Sequence, residues 1–536
     1  MGGGTNSYRE IEETNTILLW GSNARETHPI FFHHLLKGVH AGARLFTVDP
    51  RRTSSAEWAD LWLGLRVGSD IALANAVGRE IIASGLENRG FIDHATTGFE
   101  AYKSSVDRYT LEYAANETGI APEAIREMAQ NYARADRAMI CWTLGITEHH
   151  NGVDNVLSLI NLALLTGHIG RYGSGLNPLR GQNNVQGGGD MGALPDRLPG
   201  FQHVEIEANR SKFDRRWGVK VPPKRGLNLS QMFEAMEQGE LKALYVLGEN
   251  PLQSEADQQQ ARHRLESLDL LVVQDMFLTA TAQIADVVLP AAAGWCESEG
   301  TVTNSERRVQ RVRKALEPPA GVRDDVQILF DLARKFGHEW GEPSAEKIWD
   351  ELRELSPPHA GMSYARLEAQ HGLQWPCYHE NHPGEMFLHS RLWEQPLNGP
   401  KVAFHPVEHD PPVEALCSEY PLRLTTGRRL SDYNTGVQTA GFSSPLRRQE
   451  TLDISPHDAE CLGVKDGEIV RVSSRRGQIE VPIFIDQALQ PGLTFMTPHF
   501  QDDVPTNILT IDAIDPKSGT AEFKAAAIRV ERLGAT

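Results

Sequence analysis

Residues 177–195 read N-P-L-R-G-Q-N-N-V-Q-G-G-G-D-M-G-A-L-P, a stretch with almost no packing pattern in which one cation, Arg180, sits among glycines and side-chain amides. A guanidinium so placed can clamp a carboxylate through two parallel hydrogen bonds while backbone and amide donors surround a polar ligand. The chemistry this suggests is recognition of a small anion. The same composition also suits a structural loop whose Asn and Gln side chains satisfy their own turns.

A second candidate chemistry lies in two aspartates at strand ends. Thr16 to Trp20 predicts a strand that ends in Gly21-Ser22-Asn23; a helical pattern follows through Phe31 to His40, and a second strand, Ala43 to Val48, ends in Asp49. In dinucleotide folds an acidic residue at that place grips a ribose hydroxyl about 20 residues after the glycine, slightly less than the separation here. Many strand-end aspartates simply cap a turn. The arrangement then recurs: Ala243 to Leu247 leads into Gly248-Glu249-Asn250-Pro251, a helical stretch runs through Arg262 to Leu268, and Leu270 to Gln274 ends in Asp275. Asp49 is followed by Thr53 and Asp60, Asp275 by Thr279 and Asp286. Matching internal spacing predicts two related nucleotide sites, although two ordinary βαβ units need bind nothing.

The elements that must position these residues belong to a chain of 536 residues, 40% hydrophobic and 23% charged, long enough for three or four domains. Its 71 acidic against 53 basic residues give a net charge of −18, which repels a phosphate backbone and excludes nucleic acid as an expected partner. The five cysteines, Cys141, Cys296, Cys377, Cys417 and Cys461, form no C-x-x-C pair, so no metal ligand set is read from them and a reducing cytoplasm is the default. No apolar run is long enough to cross a bilayer. From about Tyr420, short alternating runs broken at Gly467, Gly477 and Pro491-Gly492 predict a compact all-β barrel. The Pro- and His-rich stretch from about Pro376 to Pro412 reads as a linker with solvated histidines.

The run from Asn177 to Pro195 closely resembles the signature of formate dehydrogenase catalytic subunits in the molybdopterin oxidoreductase family. The resemblance extends over essentially the whole chain, through T-N-S-x-x-E-I-E, W-G-S-N, D-P-R at Asp49, G-E-N-P at Gly248, Q-D-x-F at Gln274 and L-T-T-G-R at Leu424. It implies an α/β fold with two pseudo-symmetric doubly wound domains around two molybdopterin guanine dinucleotides carrying molybdenum or tungsten, plus a C-terminal β-barrel. The expected division is 1–182 and 183–300 for the two dinucleotide-binding domains, 301–415 for a helical or irregular connection, and 416–536 for the barrel. Carried over by position, Asn23, Thr27, Asp49, Arg51, Gly68, Ser69, Asp70, Gly145 and Glu148 bind cofactor. Gly248, Glu249, Asn250, Asp275 and Thr279 approach the other dinucleotide, and Thr426, Arg428, Thr435, His499, Asn507 and Lys524 do so from the barrel. His499 and Lys524 could equally be surface residues. Arg180 orients formate and Gln182 lies beside pterin and substrate.

Departures from the family pattern are Glu148 in place of a common Gln, Gly188-Gly189 in place of Ala-Cys, and Asp432-Tyr433-Asn434 in place of a His-rich stretch. Relatives of this kind begin with a four-cysteine domain for a 4Fe–4S cluster and place a Cys or selenocysteine metal ligand upstream of the region matching Met1. The resemblance therefore implies a chain that lacks that portion, does not turn over formate alone, and works with the missing segment or a separate chain and an electron-transfer subunit. The implied reaction takes formate to carbon dioxide, or the reverse, with two electrons passed to an external acceptor. Alternatives are another molybdopterin oxidoreductase, such as a nitrate reductase, and a non-catalytic scaffold that keeps the fold.

Overall fold

The computed structural model describes residues 3–436 and 449–533. The chain divides into two compact units. The larger contains Thr5–Leu179, Gln253–Ala261 and the chain from Phe387 onwards; the smaller contains Arg180–Leu252, Arg262–Met386 and the start of the chain up to Gly4.

In the larger unit a five-stranded parallel sheet runs in the order Leu61–Leu63, Arg44–Val48, Thr16–Trp20, Ala138–Trp142, Gly175–Pro178. The central strands T-I-L-L-W and A-M-I-C-W are buried at every position, which requires cover on both faces. Strand alternation supplies it. Leu18 and Trp20 pack with helices Asp70–Ala83, Pro122–Arg134 and Gly152–Thr166, while Ile17 and Leu19 pack with Phe31, Phe32 and Leu35 of helix Pro29–His40. Each such side chain contributes roughly 1.5–3 kcal/mol by leaving water, so a polar residue at any of them breaks the sheet's seating. Pro29 starts its helix where a missing N–H costs nothing.

The same unit holds a closed barrel in the order Leu422–Thr426, Leu493–Met496, Leu452–Ile454, Gln478–Ile485, Ile469–Ser473, Ala526–Arg532. Period-two alternation turns Ile479, Val481 and Ile483 inward together with Val470 and Val472. The first strand pairs parallel to Leu493–Met496 and antiparallel to Ala526–Arg532, so the barrel closes only through partners 70 and more residues away.

The smaller unit holds a three-stranded parallel sheet, Val287–Pro290, Leu270–Asp275, Ala243–Leu247. The stretch read as a helical or irregular connection opens with an antiparallel hairpin, Gly300–Thr303 with Arg308–Val312, joined by Leu373–Gln374, and carries helices Asp325–Lys335, Ala345–Leu355 and Tyr364–Ala369. Arg307 at its turn has a left-handed φ of 69° and is fully buried. Its guanidinium donates to four carbonyls: Gly4 at 2.7 Å, Glu385 at 3.0 Å, Met386 at 2.7 Å and Trp375. A left-handed non-glycine residue costs on the order of 1–3 kcal/mol and persists only where its surroundings over-determine it. Here the carbonyl dipoles do so.

No helix among the described residues is long and apolar enough to cross a membrane. Removing the Arg307 guanidinium leaves buried carbonyls without donors, each costing about 1–3 kcal/mol. Arg307→Met is therefore expected to lower the earliest thermal transition of the protein by several degrees in differential scanning calorimetry. A transition within a degree of wild type would show that water replaces the guanidinium there.

Candidate functional site

The repeat read from the sequence is reproduced bond for bond. In the larger unit Gly21 N–H donates to Val48 O at 2.7 Å, and in the smaller Gly248 N–H donates to Gln274 O at 2.8 Å. Asp49 accepts from Arg51 N at 2.9 Å and Asp275 from Phe277 N at 2.9 Å. Asp60 accepts from Leu45 N at 2.8 Å and Asp286 from Leu271 N at 2.7 Å. Asn23 Oδ1 accepts the Ser55 hydroxyl at 2.9 Å, as Asn250 Oδ1 accepts the Thr281 hydroxyl at 2.8 Å. Ala56 N donates to Thr53 and Ala282 N to Thr279. Each copy thus fixes the turn after its first strand and the aspartate after its second by the same local bonds. Glu249 is exposed at the tip of its turn.

In the larger unit the barrel supplies further groups to the first copy. The Arg51 guanidinium lies 3.6 Å over the Phe495 ring, and Gln490 Nε2 donates to Pro50 O at 2.9 Å. Arg428 lies over Tyr433 at 4.5 Å and bonds to Asn434; burial makes it less basic, with Tyr433 and Glu148 pulling the other way. His499 Nδ1 accepts from Tyr433 N at 2.9 Å. His499 and Lys524 are buried rather than surface residues. Thr435 is half-buried in the turn that follows, and the buried Asn507 donates to Gln253 O at 2.9 Å.

Beneath this surface is a cluster of buried charges. Lys524 Nζ meets Glu148 at 2.8 Å and donates to Thr426 O at 3.0 Å, while the Thr426 hydroxyl donates to Phe523 O at 2.8 Å. Glu148, the departure from the family's Gln, therefore has a cationic partner. Asp70 accepts the Trp20 indole N–H at 2.8 Å. Ser69, which precedes it, donates to Arg66 O at 2.6 Å and opens helix Asp70–Ala83. Burial pushes Asp49 up to about 6, opposed by Arg51, and pushes Asp70 up, opposed by His149. A carboxylate held near that value by desolvation favours hydroxyl donors such as those of a ribose.

Two glycines have steric reasons. Gly21 and Gly145 meet backbone to backbone, with Gly145 N–H to Gly21 O at 3.2 Å; a Cβ on Gly145 would fall 2.6 Å from that oxygen, and Gly21 has φ +55°. Gly68, at φ +83°, leaves room for Pro412, which a Cβ would approach to 2.6 Å. Thr27 donates to Asn23 O at 3.1 Å and so shapes the same turn.

Sequence reasoning missed Glu522, whose histidine partners lie more than 370 residues away. One carboxylate oxygen faces His149 Nδ1 at 3.2 Å and accepts His150 N at 3.0 Å; the other accepts Lys524 N at 2.8 Å. Burial alone would raise its pKa, but His149 and His150 hold it far below the carboxylate range. His149, which burial would lower, is raised by Glu522; His150 is raised by its bonds to Glu522 and Asp410. The adjacent histidines at 149 and 150 were the available signal.

In the smaller unit Arg180 is half-buried, made less basic by burial and partly restored by the charge of Asp190, and Gln182 is exposed on the same loop. No group of three or more His, Cys, Asp or Glu side chains that could hold a metal occurs among the described residues.

The larger unit's turn fits a dinucleotide by its donors as well. The buried Ser22 hydroxyl, at the tip between Gly21 and Asn23, and the buried Gln501 amide on the barrel have no hydrogen-bond partner among the described residues. Groups so placed need a partner.

Residues 3–335 match the model of the Molybdopterin oxidoreductase family, and residues 422–527 match that of the Molydopterin dinucleotide binding domain. The chain is 41% identical to the "F420-dependent formate dehydrogenase subunit alpha" of Methanocaldococcus jannaschii, covering 99% of this chain and 78% of that one. It is 37% identical to formate dehydrogenase H of Escherichia coli (99% and 74%) and 34% identical to the assimilatory nitrate reductase catalytic subunit of Bacillus subtilis (98% and 75%). Its fold matches acetylene hydratase from Pelobacter acetylenicus with a TM-score of 0.75 at 23% identity, over 99% of this chain and 79% of that one.

Linkage gives the Glu522 cluster a pH signature. Glu522 lies below its ordinary 4.5, so its stabilisation is complete above that value and is lost only as pH falls through the depressed one. His149 and His150 lie above their ordinary 6.5, so theirs is complete below 6.5 and is lost as pH rises through the raised values. The melting temperature is expected to fall as pH rises above 6.5, and Glu522→Gln is expected to remove most of that slope in calorimetry; an unchanged slope would mean that the histidines stay neutral.

The mixed α/β architecture, the closed six-stranded barrel, the family-model match over residues 3–335 and similarity to these enzymes over 99% of the chain together establish that it belongs to the molybdopterin oxidoreductase family.

Proposed function

We propose that this chain forms the catalytic body of a formate dehydrogenase that binds two molybdopterin guanine dinucleotides with molybdenum or tungsten and interconverts formate and carbon dioxide. The observation that carries the reading is Arg180, a half-buried guanidinium on a loop of glycines and amides, in a chain of which 99% aligns with formate dehydrogenases. Its two parallel N–H groups would bind the formate carboxylate and fix its orientation, and its partial removal from water strengthens that attraction. Gln182, on the same loop, would donate to substrate or pterin. Ser22, Asn23, Asp49, Arg51, Arg428 and Lys524 would hold one dinucleotide, with Asp49 on a ribose and the cations on the diphosphate. Gly248, Asn250, Asp275 and Thr279 would present the equivalent turn to the other. The metal–pterin group, when bound, supplies the two-electron redox chemistry.

Electrons then leave to an external acceptor, and relatives named as alpha subunits support a partner subunit that receives them. The cytoplasm is the compartment this reading assigns.

The test uses the enzyme in its native assembly, purified from its own host. Viologen reduction with formate is expected, together with two pterins and one molybdenum or tungsten per chain. Arg180→Lys, which keeps the charge but not the planar fork, is expected to raise the formate KM by about tenfold or more. Turnover of nitrate but not formate would move the protein beside the nitrate reductase, and absence of pterin and metal would make it a scaffold.

A further inference from the structure

The loop that carries Arg180 cannot hold its own shape. Its helix, Val185–Asp190, is six residues long and includes three consecutive glycines, each costing about 1 kcal/mol relative to alanine in a helix. Tertiary anchors must fix it. One is Asn184, whose Oδ1 accepts Thr303 N at 2.9 Å from the hairpin and lies where a Cβ on Gly187 would fall, 2.0 Å away. The stronger anchor is Asp190, fully buried at the helix end. Gln186 Nε2 donates to its Oδ1 at 2.9 Å, the Trp375 indole N–H donates to its Oδ2 at 2.8 Å, and Gly200 N–H donates to its carbonyl at 2.7 Å.

Trp375 is itself fixed. Its backbone N–H donates to Arg307 O at 3.1 Å, its carbonyl accepts from the Arg307 guanidinium, and its ring lies 5.4 Å from that guanidinium. A chain of contacts therefore runs from the hairpin turn through Trp375 to Asp190, at the end of the helix that follows Arg180, and the Asp190 charge favours the protonated Arg180 guanidinium.

We propose that Asp190 and Trp375 are positioning residues for Arg180, setting where its guanidinium meets the substrate carboxylate. The inference rests on the formate reading above. The acid is required as a carboxylate because two N–H donors converge on its separate oxygens. Asparagine would turn an amide N–H toward one of them. Burial, opposed by Gln186, Trp375 and Arg180, pushes Asp190 up to about 6, so the carboxylate persists at neutral pH.

The test compares Trp375→Phe, Asp190→Asn and Arg180→Lys in the native assembly. Trp375→Phe removes one N–H and keeps the ring over Arg307. It and Asp190→Asn are each expected to raise the formate KM about tenfold, the scale of one hydrogen bond to a charged group, with kcat changed less than about threefold and pterin and metal content unchanged. Faster amide hydrogen exchange over residues 181–192 without substrate is the accompanying readout. A formate KM within about twofold of wild type in both variants, beside an impaired Arg180→Lys, would overturn the positioning role and leave the formate reading standing. A loss confined to kcat would overturn it as well. An Arg180→Lys enzyme with wild-type KM would overturn both.

Discussion

Taking Glu522 out of water costs several kcal/mol unless its charge is matched and its lone pairs are used, and the structure meets both conditions with residues from distant parts of the sequence. His149 and His150 come from the α/β sheet's loops, and Lys524 continues from Glu522 to Glu148 and the Thr426 carbonyl. The barrel's last strand and the loop after Trp142 are therefore held in one register. Asp49, Asp70 and Arg428 lie within reach of the same charges.

The repeat was legible because it is written in local chemistry. A glycine, an amide two residues on, an aspartate at the next strand end and a threonine four residues beyond it leave their spacing in the sequence, and each makes the corresponding hydrogen bond in both copies. The strands at Thr16–Trp20 and Ala243–Leu247 were legible for the same reason. The barrel was legible as a class through alternation in Gln478–Ile485, but its strand order was not, since parallel pairing of Leu422–Thr426 with Leu493–Met496 leaves no local trace.

What stayed illegible was long-range. Glu522 and its histidines are 372 and 373 residues apart. Arg307 sits in N-S-E-R-R-V-Q, where nothing separates a surface arginine from one that is fully buried and spread over four carbonyls. The hairpin around it left no alternating signal, since the two valines of R-V-Q-R-V are three residues apart. Gly145 follows from resemblance as a cofactor contact, whereas its closest approach is to Gly21.

The distance between Glu522 and the histidine pair has a consequence for biosynthesis. A ribosome adding roughly 5–20 residues per second needs about 20–75 seconds to pass from one to the other. Throughout that interval the nascent sheet carries His149 and His150 without the carboxylate that neutralises them, and the barrel lacks its closing strand Ala526–Arg532. The loop after Trp142 thus reaches its native contacts only once residues more than 370 positions downstream have been made.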